Sequence, residues 1–199
     1  MADRRLVLAS RNAHKVEELA RILADTGELP GVPDVAETGV TFEANALLKA
    51  QAVGAATGLP AIADDSGLAV DVLGGSPGVF SARWAGPGHD DRANLDLLLA
   101  QLEDVPDAHR GAAFVCAVVV VLPDGRQLST QGRMPGRLIR GRRGAGGFGY
   151  DPIFVADGQE RTNAELSPAE KDAISHRGRA LRAMAPLLAA ALSADSARD

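Results

Sequence analysis

The chain has 199 residues, 46% of them hydrophobic and 24% charged, with a net charge of −5. That length buries a real core as one large domain, or one domain of two lobes, and needs no disulfide support. The acidic balance speaks against nucleic-acid binding as a main activity, because a polyanion selects a basic face, but leaves room for a small anion held by local cations. The single cysteine, Cys116, excludes an internal disulfide, and inside the run Ala112 to Leu122 it reads as a small buried core residue. The run Leu6 to Ala9 is far too short for a signal-peptide core, and no stretch approaches the length of a membrane span, so a soluble cytoplasmic protein is expected.

In chain order, Leu6 to Ala9 reads as a buried strand. Ser10-Arg11-Asn12 follows, then a helix carrying Val16, Leu19, Ala20 and Leu23 at helical spacing. Asn12 is an N-cap candidate, and a strand running into a helix N-terminus offers unpaired N–H groups to an anion. Lys15 shares that face and can meet a phosphate, although on this segment alone an ordinary capped helix with a surface lysine is the better account. Glu37-Thr38-Gly39 then precedes a second helix with Thr41 as N-cap. On it Asn45 and Lys49 share a face that looks either to a ligand or, as is usual for such a stripe, to water. Gly58-Leu59-Pro60 ends this helix.

The stretch Pro60 to Trp84 reads PAIADDSGLAVDVLGGSPGVFSARW. Two short apolar runs flank Asp64-Asp65-Ser66-Gly67, and two adjacent carboxylates between buried strands call for a cation or a solvated cleft. Neighbouring strand residues point to opposite faces, so Asp64 and Asp65 aim at one point only if the backbone turns between them. Ser66-Gly67 is the expected turn, and a plain connecting loop has the same composition. Gly74 to Gly78 is a further turn, and Arg83 beside the only tryptophan is either a packed surface pair or a phosphate contact.

An amphipathic helix is expected over Asp91 to Leu102, and Ala113 to Leu122 reads as a strand covered on both faces. Pro123-Asp124-Gly125 turns it back through Arg126 to Gly132, with Met134 to Ile139 as an extension, so the sheet is expected to be mixed. Arg137, Arg140, Arg142 and Arg143 read by default as a mobile solvated loop. Gly144 to Gly149 matches G-x-G-x-x-G by letter, but Tyr150-Asp151-Pro152 and a strand at Ile153 to Val155 follow it where a dinucleotide motif needs a helix. Glycines around Phe148 and Tyr150 suggest instead that aromatic rings lie against a flat ligand. Ser167-Pro168-Ala169-Glu170 is a capping box opening a helix with Lys171. Ser175-His176-Arg177-Gly178 follows, then a last helix from Arg179 to Leu192 and a frayed tail over 193–199.

Carboxylates at Asp64, Asp65 and Glu37 suit a divalent metal, Lys15 suits phosphate, Phe148 to Asp151 suit a flat ring, and Lys171, His176 and Arg177 supply donors. The combination describes a nucleotide site, without the G-x-x-x-x-G-K-[ST] of a P-loop. SRNAHK (10–15), TFEANALLKA (41–50), ADDSGLAVDVLGGSPGVFSARW (63–84), GGFGYDPIF (146–154) and EKDAISHRG (170–178) occur in one order over almost the whole chain. Together they resemble the inosine triphosphate pyrophosphatase family, the dITP/XTP pyrophosphatases.

The resemblance implies a single α/β domain over 1–199, two-lobed, with a long curved mixed β-sheet flanked by helices and an active-site cleft between the lobes. It also implies a homodimer and Mg²⁺-dependent hydrolysis of non-canonical purine triphosphates to monophosphate and pyrophosphate. By motif position Ser10, Asn12 and Lys15 would hold phosphates, Glu37 and Asp65 would bind metal, and Asp65 would also accept the proton. Ser66 would touch substrate, and Phe148, Gly149, Tyr150, Asp151, Lys171, His176 and Arg177 would line the nucleotide. Asp64, Asn45, Lys49 and Arg83 are additional candidates, whereas Arg11, His14 and Glu43 receive no role. Arg177 or His176 facing O6 would select a 6-keto purine, since donors left unpaired make rejection of adenine strong. Two rivals are a Maf-type pyrophosphatase, which the intact FGYD and SHR blocks disfavour, and a non-catalytic nucleotide sensor.

Overall fold

The computed structural model describes residues 6–9 and 35–195. The expectations for Ser10, Asn12, Lys15 and the first helix lie outside those residues. The described elements are β1 (Val7–Leu8), α1 (Phe42–Thr57), β2 (Ala61–Val70), α2 (Asp91–Gln101), β3 (Gly111–Val121), β4 (Gln127–Leu138), β5 (Phe154–Ala156), α3 (Pro168–Ile174) and α4 (His176–Asp195), with short 3₁₀ turns between. The five strands form one sheet in the order β1-β2-β3-β4-β5. β1 runs parallel to β2, with Val7 opposite Ala61, and β4 runs antiparallel to β5, with Arg137 opposite Val155. β3 and β4 are joined by a turn in which Leu122 N–H donates to Arg126 O at 2.9 Å, a connection too short for anything but an antiparallel return. The sheet is therefore mixed, as expected.

Local chemistry sets the helix ends. Thr41 Oγ1 accepts from Ala44 N–H at 3.1 Å to open α1, and Gly58, at φ +67°, closes it with its N–H on Gly54 O at 2.8 Å. Asp90 caps α2 through Arg92 and Ala93, and Ser167 and Glu170 form the capping box of α3 with Pro168 in its first turn.

The chain divides into two compact units, and β2, β3 and β4 each pass through both. The first contains the described residues up to Asp65, Cys116–Gly132 and the chain from Arg177. Its strands bury both faces. Ala61, Ala63 and Val119 pack with Ala46, Ala50 and Val53 of α1, while Ile62, Cys116, Val118 and Val120 pack with Ala180, Leu181 and Met184 of α4. This two-residue alternation is what lets one strand serve two helices. The second unit, Ser66–Val115 and Arg133–His176, gathers Leu68, Leu95, Leu98, Phe114, Met134, Leu138, Ile153 and Phe154 into its core.

Three expectations are corrected. Asp64-Asp65-Ser66-Gly67 is not a turn: β2 runs unbroken through it, because both flanks are paired and buried, which outweighs the turn preference of the four residues. β4 is one strand through Gly132 and Arg133, so the expected extension over Met134 to Ile139 is found as far as Leu138. The last helix begins at His176, three residues earlier than expected. Three members of the basic cluster are solvent-exposed as expected but held by partners rather than loose. Arg140 bonds Asp107 at 2.7 Å and the carbonyls of Glu103 and Val105, Arg142 pairs with Asp96, and Arg143 bonds Glu160 O at 2.8 Å.

Candidate functional site

In the first unit the alternation of β2 sends its two carboxylates to opposite faces. Asp65 faces α1, where Asn45 Nδ2 donates to its Oδ2 at 3.1 Å and Lys49 Nζ lies 3.6 Å from its Oδ1. The same ammonium bonds Glu37 Oε1 at 3.0 Å. Asn45, fully buried, is itself oriented by Gly39 N–H, which donates to its Oδ1 at 2.8 Å. The Asn45 and Lys49 stripe thus looks inward to a carboxylate, and the expectation that it faces water is corrected. Burial alone would lower the Lys49 pKa, but the charges of Asp65, Asp64 and Glu37 outweigh it and hold the ammonium above its ordinary value.

Asp64 faces α4. Arg177 Nε donates to its Oδ2 at 3.2 Å, both side chains being 1% exposed, and the Cys116 thiol donates to the same oxygen at 3.8 Å. Cys116 is buried, as its sequence context suggested.

Glu37 and Asp65 converge on one ammonium, so their oxygens face a common volume in which a positive charge is already accommodated. Mg²⁺ is typically bound by one or two carboxylates with the remaining positions left to water and substrate phosphate. That donor set fits. Among the described residues no group of three His, Cys, Asp or Glu side chains is placed to hold a metal alone, so phosphate or water oxygens would have to complete the shell.

In the second unit the glycine-rich loop builds a cradle for Asp151. At Gly147, φ is +69° and an added Cβ would lie 2.2 Å from Asp151 Oδ2, so only glycine lets the backbone close around this carboxylate. Phe148 N–H and Lys171 Nζ donate to Oδ2 at 3.0 and 2.5 Å, and Asn163 Nδ2 donates to Oδ1 at 3.1 Å. The Lys171 ammonium also sits over the Phe148 ring, 4.7 Å from its centroid. A half-buried ring, a carboxylate and an ammonium therefore stand together.

The other candidates lie as follows. Tyr150 is not a ring laid open to a ligand: it is buried in the core, its hydroxyl donates to Ser81 O at 2.8 Å, and desolvation and then Asp91 push its pKa well above 10. Gly149 N–H donates to Asp91 Oδ2 at 2.8 Å. His176 is buried with its ring stacked on Phe114 at 5.1 Å. Ser66 is half-buried on β2, and the Arg83 guanidinium lies 5.4 Å from the Phe80 ring centroid. Asn163 was not singled out from the sequence, although Thr162-Asn163-Ala164-Glu165 has the spacing of a capping box.

The mixed sheet, the acid and lysine cluster on β2, and the ring, carboxylate and ammonium beyond the glycine loop define an α/β protein with the side chains of a nucleotide-acting enzyme. The Ham1 family model matches residues 6–187, and the chain belongs to that family. It is 60% identical over 195 residues to a protein from Frankia alni named dITP/XTP pyrophosphatase, covering 92% of this chain and 96% of that one. A protein of the same name from Streptomyces avermitilis is 58% identical over 193 residues, with the same coverage. Among solved structures, a HAM1 protein from Coxiella burnetii superposes with a TM-score of 0.85 at 42% identity, covering 93% of this chain and 98% of that one. The nucleoside-triphosphatase / dITP/XTP pyrophosphatase from Mycobacterium abscessus gives 0.75 at 51% identity, covering 92% and 99%.

Proposed function

We propose that the chain hydrolyses non-canonical purine nucleoside triphosphates, dITP/ITP and XTP/dXTP, to the monophosphate and pyrophosphate, removing them before they enter DNA or RNA. The observation that carries this reading is Asp65, a buried carboxylate fixed by Asn45 and shared through Lys49 with Glu37, in a chain whose relatives carry the dITP/XTP pyrophosphatase name. Water attacks the α-phosphorus, and Asp65 orients it and takes its proton. Lys49 neutralises charge that develops on the leaving pyrophosphate. Glu37 and Asp65 would hold Mg²⁺, which when bound supplies further charge neutralisation on the phosphates. The segment 10–15 keeps its implied role on phosphate.

For the base, the Phe148 ring offers a face, with Asp151 as acceptor and Lys171 as donor beside it. A 6-keto purine presents an N1–H donor and an O6 acceptor, the complement of that pair, whereas adenine presents the reverse. Arg177 is committed to Asp64 in the interior, so Lys171 is the better candidate for the 6-keto donor than Arg177. The homodimer and the cytoplasmic location rest on family resemblance. Product analysis with Mg²⁺ and dITP, XTP, dGTP, dATP and dUTP in parallel tests the reading. Monophosphate and pyrophosphate from dITP and XTP, with little from dGTP or dATP, are expected. Diphosphate and phosphate would move the attack to the γ-phosphorus and refute it.

A further inference from the structure

We infer that Asn163 is a positioning residue that sets the purine specificity of Asp151; the inference rests on the role given to Asp151 above. The Asp151 carboxylate is anchored at both oxygens, but unequally. Oδ2 has two donors, Phe148 N–H and Lys171 Nζ, whereas Oδ1 has Asn163 Nδ2 at 3.1 Å. With donors on one oxygen only, a carboxylate can swing about its Cβ–Cγ bond. The Asn163 amide fixes the plane, and with it the direction of the lone pair that an N1–H must meet.

Packing does not account for this asparagine. Its side chain is 1% exposed and its Oδ1 is buried without a hydrogen-bond partner among the described residues. A buried acceptor without a partner is unfavourable, and an apolar side chain of similar volume would avoid it. What the amide contributes is the bond to Asp151.

Its mount is rigid. Thr162 N–H donates to Glu165 Oε2 at 2.7 Å, Thr162 Oγ1 donates to Arg143 O at 2.8 Å, and Gly146 N–H donates to Ala164 O at 3.0 Å. An added Cβ at Gly144 would lie 2.5 Å from the Ala164 carbonyl, so the glycine loop and the Asn163–Glu165 turn are pressed together backbone to backbone. The loop that supplies Phe148 and the turn that supplies Asn163 hold Asp151 from two sides.

The test is steady-state pyrophosphate release from dITP and dATP by wild type, Asn163→Leu, Asn163→Ser and Asn163→Asp, with thermal melts of each. For Asn163→Leu the KM for dITP is expected to rise about tenfold, the size of one hydrogen bond to a charged group, while kcat falls less than threefold. The dITP to dATP ratio of kcat/KM falls with it, and the melting temperature falls only modestly, because Asp151 Oδ1 loses its donor while the orphan acceptor of Asn163 leaves with the bond. Asn163→Ser, with a short hydroxyl donor, falls between Leu and wild type. Asn163→Asp, which sets a carboxylate against Asp151, gives the largest rise in KM. A wild-type KM and ratio in folded Asn163→Leu, or an equal loss on both substrates that tracks the melting temperature, overturns the inference. No pyrophosphate from dITP with wild type overturns the reading of the site itself, and Asn163 with it.

Discussion

The Asp64 and Arg177 pair offers a sharp test of how β2 divides its carboxylates. Arg177 Nε and Asp64 Oδ2 are 3.2 Å apart and both side chains are 1% exposed. Replacing Asp64 with Leu removes the carboxylate that Arg177 Nε meets in the interior, which costs about 3–5 kcal/mol. Against a total stability of about 5–15 kcal/mol this is a large share. For a chain of this length each kcal/mol lowers Tm by about 2–4 °C, so a fall of roughly 6–20 °C is expected. Arg177→Met, which takes the guanidinium away from the buried carboxylate, should cost a similar amount. The double variant Asp64→Leu/Arg177→Met removes both charges and should recover most of the loss, because a buried pair replaced by apolar groups is often neutral in stability. Urea and thermal unfolding of the four proteins complete the cycle. A double variant as unstable as the sum of the singles, or an Asp64→Leu loss below about 1 kcal/mol, would refute the picture of two charges neutralising each other in the interior.

Three further outcomes are expected. Asp65→Asn keeps the shape that Asn45 contacts, so unfolding should change by no more than about 1 kcal/mol while pyrophosphate release from dITP falls at least about 10²-fold; a folded variant with near wild-type turnover would remove Asp65 from the chemistry. Gly147→Ala forces a Cβ into φ +69° and onto the Asp151 carboxylate, costing about 1–2 kcal/mol by conformation alone and raising KM for dITP, as melts and initial rates will show. Arg161, then the Ser167 backbone and hydroxyl, hold the Glu170 carboxyl at about 2 instead of 4.5. A depressed carboxylate contributes stability that is complete above its unfolded value and is lost as pH falls from about 4.5 towards about 2, so urea midpoints should decline over that window and Glu170→Gln should flatten the decline.

What could be read from the sequence was what local chemistry decides. Thr41, Gly58 and the Ser167 capping box mark helix ends because a few backbone groups within one turn settle them. The apolar run of β3 announces a strand covered on both sides, and the first unit covers it with α1 on one face and α4 on the other. Asp64 to Gly67 defied reading for the opposite reason. Their composition favours a turn, and only pairing with segments far along the chain makes them strand. The partner of Asp64 lies 113 positions away, and nothing near Arg177 names it. Tyr150 and Phe148 look alike in sequence beside the same glycines, yet a bond to Ser81, 69 positions away, buries one ring and leaves the other half-exposed.

Two neighbouring carboxylates in one strand are costly only if they share a face. A strand places them on opposite faces, so each acquires its own cation: Asp64 the buried Arg177, and Asp65 the Lys49 ammonium it shares with Glu37. The difference between those cations carries the functional division. Arg177 is planar, always charged and 1% exposed, suited to a permanent pair. Lys49 is a point charge on a flexible stem, its side chain 16% exposed and shared between two carboxylates, so the ammonium can exchange one carboxylate for another anion while the other stays paired. A single residue step along β2 therefore separates a carboxylate paired with Arg177 in the interior from the one proposed for the chemistry, and a strand does this where the expected turn would have brought the two into conflict.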